Sequence, residues 1–512
     1  MREFCLAVLI TVALMTAGRE TSAGRQPVGR WGMFELAVPN SRAYKNPFAD
    51  VTLEGKFLSP SKKQFKVLGF YDGGETWRLR FMPDEIGDWS YTARFSDGSA
   101  DVKGTFKCVK SKLHGPLRVN RENPLWFEYA DGKPFYLRAF YLRYIGALDD
   151  DTLAKTLDFL KAQGYNTIVG PGNLPSPPNR RPWEQDAQGN FDFSRPNLYL
   201  WKSFDRALQM TAERGMVFIP FHIFGGTNRM PKIPTWEDRD LFLRCWVARW
   251  DGYWNATFQP ISEWEEGWSD SEILLIGSRI HELDGGRHLV SMHSLKASTE
   301  KVQKADWFSY CTVQDKLTDW NPMKYTWLVG LYRKVQKPIL AHECLWEGCV
   351  YQKDAGMDMD NMRRGAWVIA LCGGQINYAD RVVPPSRYHL QSDEGNTFSE
   401  LGMAMKPHGL FYEQLKVLGD FMQSIHFWRM TPQPELSGTG VCLADAGREY
   451  VAYSAAGDKM TLDLSGAKGS FTGRWLNPRD GKFGEPFKIE GGEKREFQTP
   501  DSNDWILHLR KI

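Results

Sequence analysis

Between residues 115 and 428 the sequence keeps switching between two periods, and this alternation constrains the fold more than any other feature. Short apolar stretches of strand character fall at 135–139, 166–169, 217–221, 258–261, 288–292, 307–311, 338–341 and 374–378. Longer amphipathic stretches fall between them, at 150–163, 198–214, 238–250, 269–283, 322–335 and 357–371. In the first of these, Leu153, Leu157 and Leu160 recur on one helical face, and Gly164 ends the run. Strand followed by helix, repeated over this length, predicts a parallel (β/α)8 TIM barrel. Such a barrel carries its chemistry on the loops at the C-terminal ends of its strands.

The flanks read differently. Residues 31–110 alternate inward and outward positions over short runs divided by Asp72-Gly73-Gly74 and similar turns, which predicts an antiparallel, Ig-like β-sandwich. After a helix at 409–424 the strand pattern returns in a second, smaller sandwich. The expected plan is multidomain: a signal peptide at 1–23, a sandwich at 27–112, the barrel at 115–428 and a C-terminal sandwich at 432–512.

Charge narrows the partners. The 64 Lys and Arg nearly cancel the 62 Asp and Glu, so no broad basic field would gather nucleic acid. The apolar run 5–17, too short for a span and followed by Thr21-Ser22-Ala23, predicts export to the periplasm or outside the cell, without stable membrane insertion after cleavage. Seven cysteines follow residue 23, an odd number without paired ligand spacing. Residues 358–361 lack the glycine and bidentate Glu of a calcium loop and read as a helix start. No cofactor or metal is expected.

Two acidic segments stand directly after strand-like runs: Ser262-Glu263-Trp264-Glu265-Glu266 and His342-Glu343-Cys344-Leu345-Trp346-Glu347. They would end the fourth and seventh strands. Paired carboxylates there suit glycosidic bond cleavage, in which one acid protonates the leaving oxygen and the other attacks or activates water. Glu263 and Glu343 are the leading pair, with Glu265 and Glu347 as alternatives. His222, His293, Tyr310 and Gln314 fall where a substrate would be lined, with Arg138, Tyr141, Asn173 and Trp183 as weaker candidates.

Several local patterns carry a resemblance. Arg30-Trp-Gly-Met-Phe-Glu-Leu36, Asn46-Pro-Phe48, Gly69-Phe-Tyr-Asp-Gly73 and Arg80-Phe-Met-Pro-Asp84 precede Ala162-Gln-Gly-Tyr-Asn166, Ala212-Glu-Arg-Gly-Met216, Lys337-Pro-Ile-Leu340 and Arg363-Arg-Gly-Ala-Trp367. Tyr450-Val-Ala-Tyr453 and Arg474-Trp-Leu-Asn-Pro478 follow. Together they resemble the apiosidase-like glycoside hydrolases, with an uncharacterised β-sandwich before the barrel and a sandwich named for collagen binding after it. The resemblance implies a carbohydrate substrate, an acid/base at Glu263 and a nucleophile at Glu343. It also implies a second acidic position at Glu347, with Trp346 beside the sugar. Members of this clan place Asn before the acid/base; here that position is Ser262. The clan implies retention of configuration, for which the carboxyls lie roughly 5–5.5 Å apart rather than roughly 6.5–9.5 Å. The missing Asn motivates an alternative, a catalytically inactive glycan-binding or surface-scaffolding protein. Sugar, linkage and oligomeric state are not fixed by the sequence.

Overall fold

The computed structural model describes residues 27–142, 145–171, 181–221, 223–226, 231–315, 321–347, 359–380 and 410–512. The expected signal peptide lies outside them. Six parallel strands form the central sheet, in the order Val217–Phe221, Thr167–Pro171, Arg138–Tyr141, Gly374–Asp380, Ile339–Glu347 and Cys311–Val313. Beyond the two outer strands the backbone continues through single parallel bridges, Phe218 with Ala256, Phe258 with Val290 and Val290 with Phe308.

Three expected strands are therefore reduced to isolated bridges, and local chemistry explains two of them. Pro260 removes a ladder donor from the run at 258–261. In the run at 288–292 the Val290 N–H bonds the Ser309 hydroxyl, 3.0 Å away, where a regular ladder would use a carbonyl. The strand expected at 307–311 instead begins at Cys311. The first strand is also displaced, because Pro134–Phe135 joins a separate antiparallel sheet with Phe127–Tyr129 and Leu117–Val119.

The helices follow the sequence pattern closely: Asp150–Ala162, Leu198–Glu213, Trp236–Trp250, Asp270–Asp284, Met359–Leu371 and Leu410–Ser424. Asp270–Asp284 starts on a complete capping box, with Ser269 and Glu272 satisfying each other's backbone donors, and stops at Gly285 in the left-handed region. The helix expected at 322–335 splits into a 3-10 segment, Pro322–Trp327, and a helix, Leu328–Val335. A hairpin, Trp183–Gln185 with Phe191–Pro196, occupies part of the long loop after the second strand. No helix among the described residues is long and apolar enough to cross a membrane.

On the N-terminal side a five-stranded sheet and a three-stranded sheet share one aromatic core, in which Phe57 stacks on Phe81 at 4.2 Å and Phe34 on Phe106 at 4.3 Å. On the C-terminal side a six-stranded sheet and a two-stranded sheet enclose Tyr450, Met460, Leu462 and Phe471. Buried ion pairs fasten each flank to the centre. Arg80, from the N-terminal part, bonds Glu35, Asp205 and the Arg249 carbonyl at 2.8, 3.0 and 2.7 Å. Arg249 in turn meets Asp72 at 2.9 Å. Burial works against the Asp72 charge, but Arg249 and Arg78 hold its carboxyl below the ordinary range. At the other flank Arg363 makes a two-pronged pair with Asp504 at 2.8 and 2.9 Å, and Asp504 also accepts from Tyr453.

Candidate active site

Strand Ile339–Glu347 pairs regularly with its neighbour up to Ala341, loses register, and resumes pairing at Leu345. His342, Glu343 and Cys344 occupy this irregularity. An extra residue in a strand bends the chain and re-aims side chains, which is why such features recur beside active sites. Here two consecutive residues, His342 and Glu343, at 1% and 8% exposure, both come within 4.8 Å of the same side chain, His293. A regular strand would send them to opposite faces.

His293 meets them there. One donor or acceptor atom from each of His293, His342 and Glu343 lies within 4.8 Å of the other two. The His293 and His342 rings are 4.3 Å apart, and Phe221 packs on both at 4.9 and 4.8 Å. Tyr141 completes the wall, 5.5 Å from Phe221 and 6.5 Å from His342. Burial pushes the His342 imidazole down to about 3, so it is uncharged at neutral pH.

The second acidic segment reaches this cluster through its backbone. Glu263 donates its N–H to His293 Nδ1 at 3.1 Å. Glu263 is half-buried and adopts the left-handed conformation, φ 46° and ψ 47°, as it opens the short helix Trp264–Glu266. A non-glycine residue held there stores local strain, and such residues concentrate at functional sites. Glu265 is exposed, and its Oε2 accepts from the Leu295 N–H at 3.0 Å. Desolvation, aided by the charges of Glu263 and Glu266, raises its carboxyl above the ordinary Glu range.

The other expected residues divide. Tyr310 is buried and reaches the cluster indirectly, donating to Gln259 Oε1 at 3.0 Å, while Gln259 Nε2 lies 3.3 Å from His342 Nε2. Gln314 is half-buried just after Cys311–Val313, its Oε1 enclosed without a partner among the described residues. Trp346 and Glu347 end their strand opposite Ala379 and Asp380, and their side chains lie outside the described part, as do His222 and Asn173 altogether. Arg138 is a correction. Its guanidinium donates to the Gly164 carbonyl, before the second strand begins, and to the Leu415 carbonyl of a flanking helix, so it braces the far end of the sheet. Trp183 is likewise core, enclosed by Phe191, Phe193 and Phe242.

Gln259 and His342 were not anticipated as site residues. The signal was present in each: a polar side chain inside a run otherwise reading as buried strand. A second carboxylate cluster, Asp251, Asp284 and His288, is committed to internal pairing, because His288 spends one nitrogen on Asp284 and the other on the Tyr253 carbonyl, at 2.6 and 2.9 Å.

Comparison with known families gives three matches along the chain. The profile of the apiosidase-like catalytic domain matches residues 121–378. A domain of unknown function (DUF5060) matches 27–96, and a domain described as a "putative collagen-binding domain of a collagenase" matches 437–510. Among curated proteins none matches significantly. A solved protein of Bacteroides vulgatus described as a "putative glycoside hydrolase" superposes with a TM-score of 0.77 at 20% identity, over 95% of this chain and 100% of its own. A family 5 glycoside hydrolase from the same organism gives 0.61 at 16% identity, over 78% of this chain and 93% of its own. At such identities the likeness speaks for the fold. The family profile spans half the sequence and contains both acidic segments, and on that ground the chain belongs to the apiosidase-like glycoside hydrolases.

Proposed function

We propose that this is an exported, retaining glycoside hydrolase of a complex plant, algal or microbial polysaccharide, with Glu343 as nucleophile and Glu263 as acid/base. The observation that carries the reading is the convergence on His293, whose ring lies against Glu343 and accepts the Glu263 N–H. The bridges Phe218–Ala256, Phe258–Val290 and Val290–Phe308 support closure of the central sheet into a (β/α)8 barrel, with the flanking sheets as sandwiches. In the proposed cycle Glu343 attacks the anomeric carbon while Glu263 protonates the departing oxygen, leaving a glycosyl ester on Glu343. Glu263 then takes a proton from water, which attacks the same carbon, releasing the sugar with its configuration retained.

Ser262, in place of the clan's Asn, favours the second reading of an inactive glycan binder. Sugar release from a panel of polysaccharides and oligosaccharides, by the parent and by Glu343→Gln, separates the two. Release by the parent alone supports the hydrolase. Glycan binding with no release over long incubation would establish the binder. Chelator is expected to leave the rate unchanged, because His293 Nδ1 is already engaged by Glu263 and His342 Nε2 by Gln259. A rate restored only by added divalent metal would overturn the carboxylate mechanism.

A further inference from the structure

A chain of polar contacts crosses the interior of the central domain and ends on the residue beside Glu343. Tyr310 donates its hydroxyl proton to Gln259 Oε1 at 3.0 Å. That contact leaves the Gln259 amide nitrogen, a donor only, facing His342 Nε2 at 3.3 Å. An imidazole nitrogen that receives an N–H carries a lone pair, so the proton of the neutral ring belongs on Nδ1. Nδ1 is enclosed and has no partner among the described residues. From a fourth strand, Asn377 donates to the His342 carbonyl at 2.6 Å and fixes the backbone of the same residue. All three side chains are buried, with Gln259 and His342 at 0% and 1% exposure and Tyr310 at 1%.

The placement gives the chain its purpose. Gln259 lies four residues before Glu263, and His342 lies directly before Glu343 inside the strand irregularity. A contact between them therefore ties together the two segments that carry the acids. We propose that Gln259 and Tyr310 are positioning residues that hold His342 as a neutral Nδ1–H tautomer, and through it set the position of Glu343 relative to Glu263. Neither touches sugar in this role. The groups around the imidazole are Glu343 on its own strand, His293, Phe221, Tyr141 and Gln259, with Tyr310 behind it. A Gln serves here where a Glu would not. A carboxylate at 259 accepts only, so it would draw the imidazole proton to Nε2 and favour a charged ring beside the nucleophile. The depressed imidazole basicity caused by burial agrees with a ring kept uncharged.

The proposal rests on Glu343 being the nucleophile, and the test reads the two ideas separately. Imidazole nitrogen shifts of the 15N-histidine-labelled full chain report the tautomer without any substrate, and His342→Gln identifies the relevant signal among the 10 histidines. The parent is expected to show His342 as Nδ1–H, unchanged from pH 5 to 8. Tyr310→Phe, which removes one hydroxyl, should let the Gln259 amide reverse and mix the tautomers. Gln259→Glu should move the proton to Nε2. Both variants should lose about tenfold or more in kcat with KM nearly unchanged, as expected for misplaced reacting groups. Glu343→Gln should abolish turnover while keeping the parent tautomer. An Nε2–H signal in the parent, or parental kcat in a folded Tyr310→Phe and Gln259→Glu, overturns the relay. Full turnover by Glu343→Gln overturns the nucleophile assignment, and the positioning role with it, whatever the tautomer.

Discussion

Glu263 and Glu265 sit two positions apart and differ in what holds them. Glu263 is constrained by its backbone, in a conformation that costs an L-residue about 1–2 kcal/mol, while the side chain of Glu265 is tied to a neighbouring loop. The two roles separate by substitution. Glu263→Gln is expected to lower kcat by ~10²–10⁴, the usual loss of a general acid, and Glu265→Gln to leave most of it. A leaving group that needs no protonation should rescue the first variant selectively; rescue of Glu265→Gln instead would reassign the acid. Glycine at 263 relieves the left-handed strain, so Glu263→Gly should be more stable than Glu263→Ala by about 1 kcal/mol in denaturant titration. Equal stabilities would mean that the strain is absent in solution. The sequence marks Glu343, Glu263 and Glu265 as candidates because carboxylates directly after buried runs are unusual. It did not reveal that Arg138 points to the opposite end, since a strand residue's alternation does not say where a long side chain travels.

Elements were readable where periodicity alone decides them. The helices were found within a few residues because an apolar face at 3.6-residue spacing is a strong local signal, reinforced by caps such as Asn197 and Ser269. The strand irregularity at His342–Cys344 was not readable, because nothing in Ala341-His342-Glu343-Cys344-Leu345 announces a lost register. Bridges in place of strands at 258 and 290 have local causes, because the ladder is interrupted by Pro260 in the first and by the Ser309 side chain in the second. That serine makes a prediction. Ser309→Ala leaves the Val290 N–H without its partner in a buried setting, which should cost roughly 1–3 kcal/mol in chemical denaturation. A cost near zero would show that another acceptor replaces it.

Across the whole molecule, buried charge joins the parts. Asp504→Ala removes the two-pronged partner of Arg363, which is 2% exposed and keeps Asp360 and Gln414, so the loss of those buried contacts should cost roughly 1–3 kcal/mol. Loss of less than about 1 kcal/mol in a denaturant titration would contradict that seam. The C-terminal part also carries an acid-sensitive group. Burial opposes the charge of Glu449, but bonds from His508, Arg510 and His426 bring its carboxyl down to about 2. A depressed carboxyl contributes stability that is complete above the unfolded value of 4.5 and drains away as pH falls toward about 2. Thermal unfolding between those pH values should therefore fall less steeply in Glu449→Gln than in the parent, and parallel slopes would rule the group out.

Arg80 and Arg363 have a consequence for how this architecture can be inherited. Arg80 divides its contacts between Glu35 in its own part and Asp205 across the border, and Arg363 between Asp360 and Asp504, so a central unit excised at either border would lose the Arg80 contact to Asp205 on one side and the two-pronged Asp504 contact on the other. Exchange of a flanking part between relatives would succeed only when both halves of an ionic lock travel together. Replacing a flanking part therefore means replacing the ion pairs at its border as well.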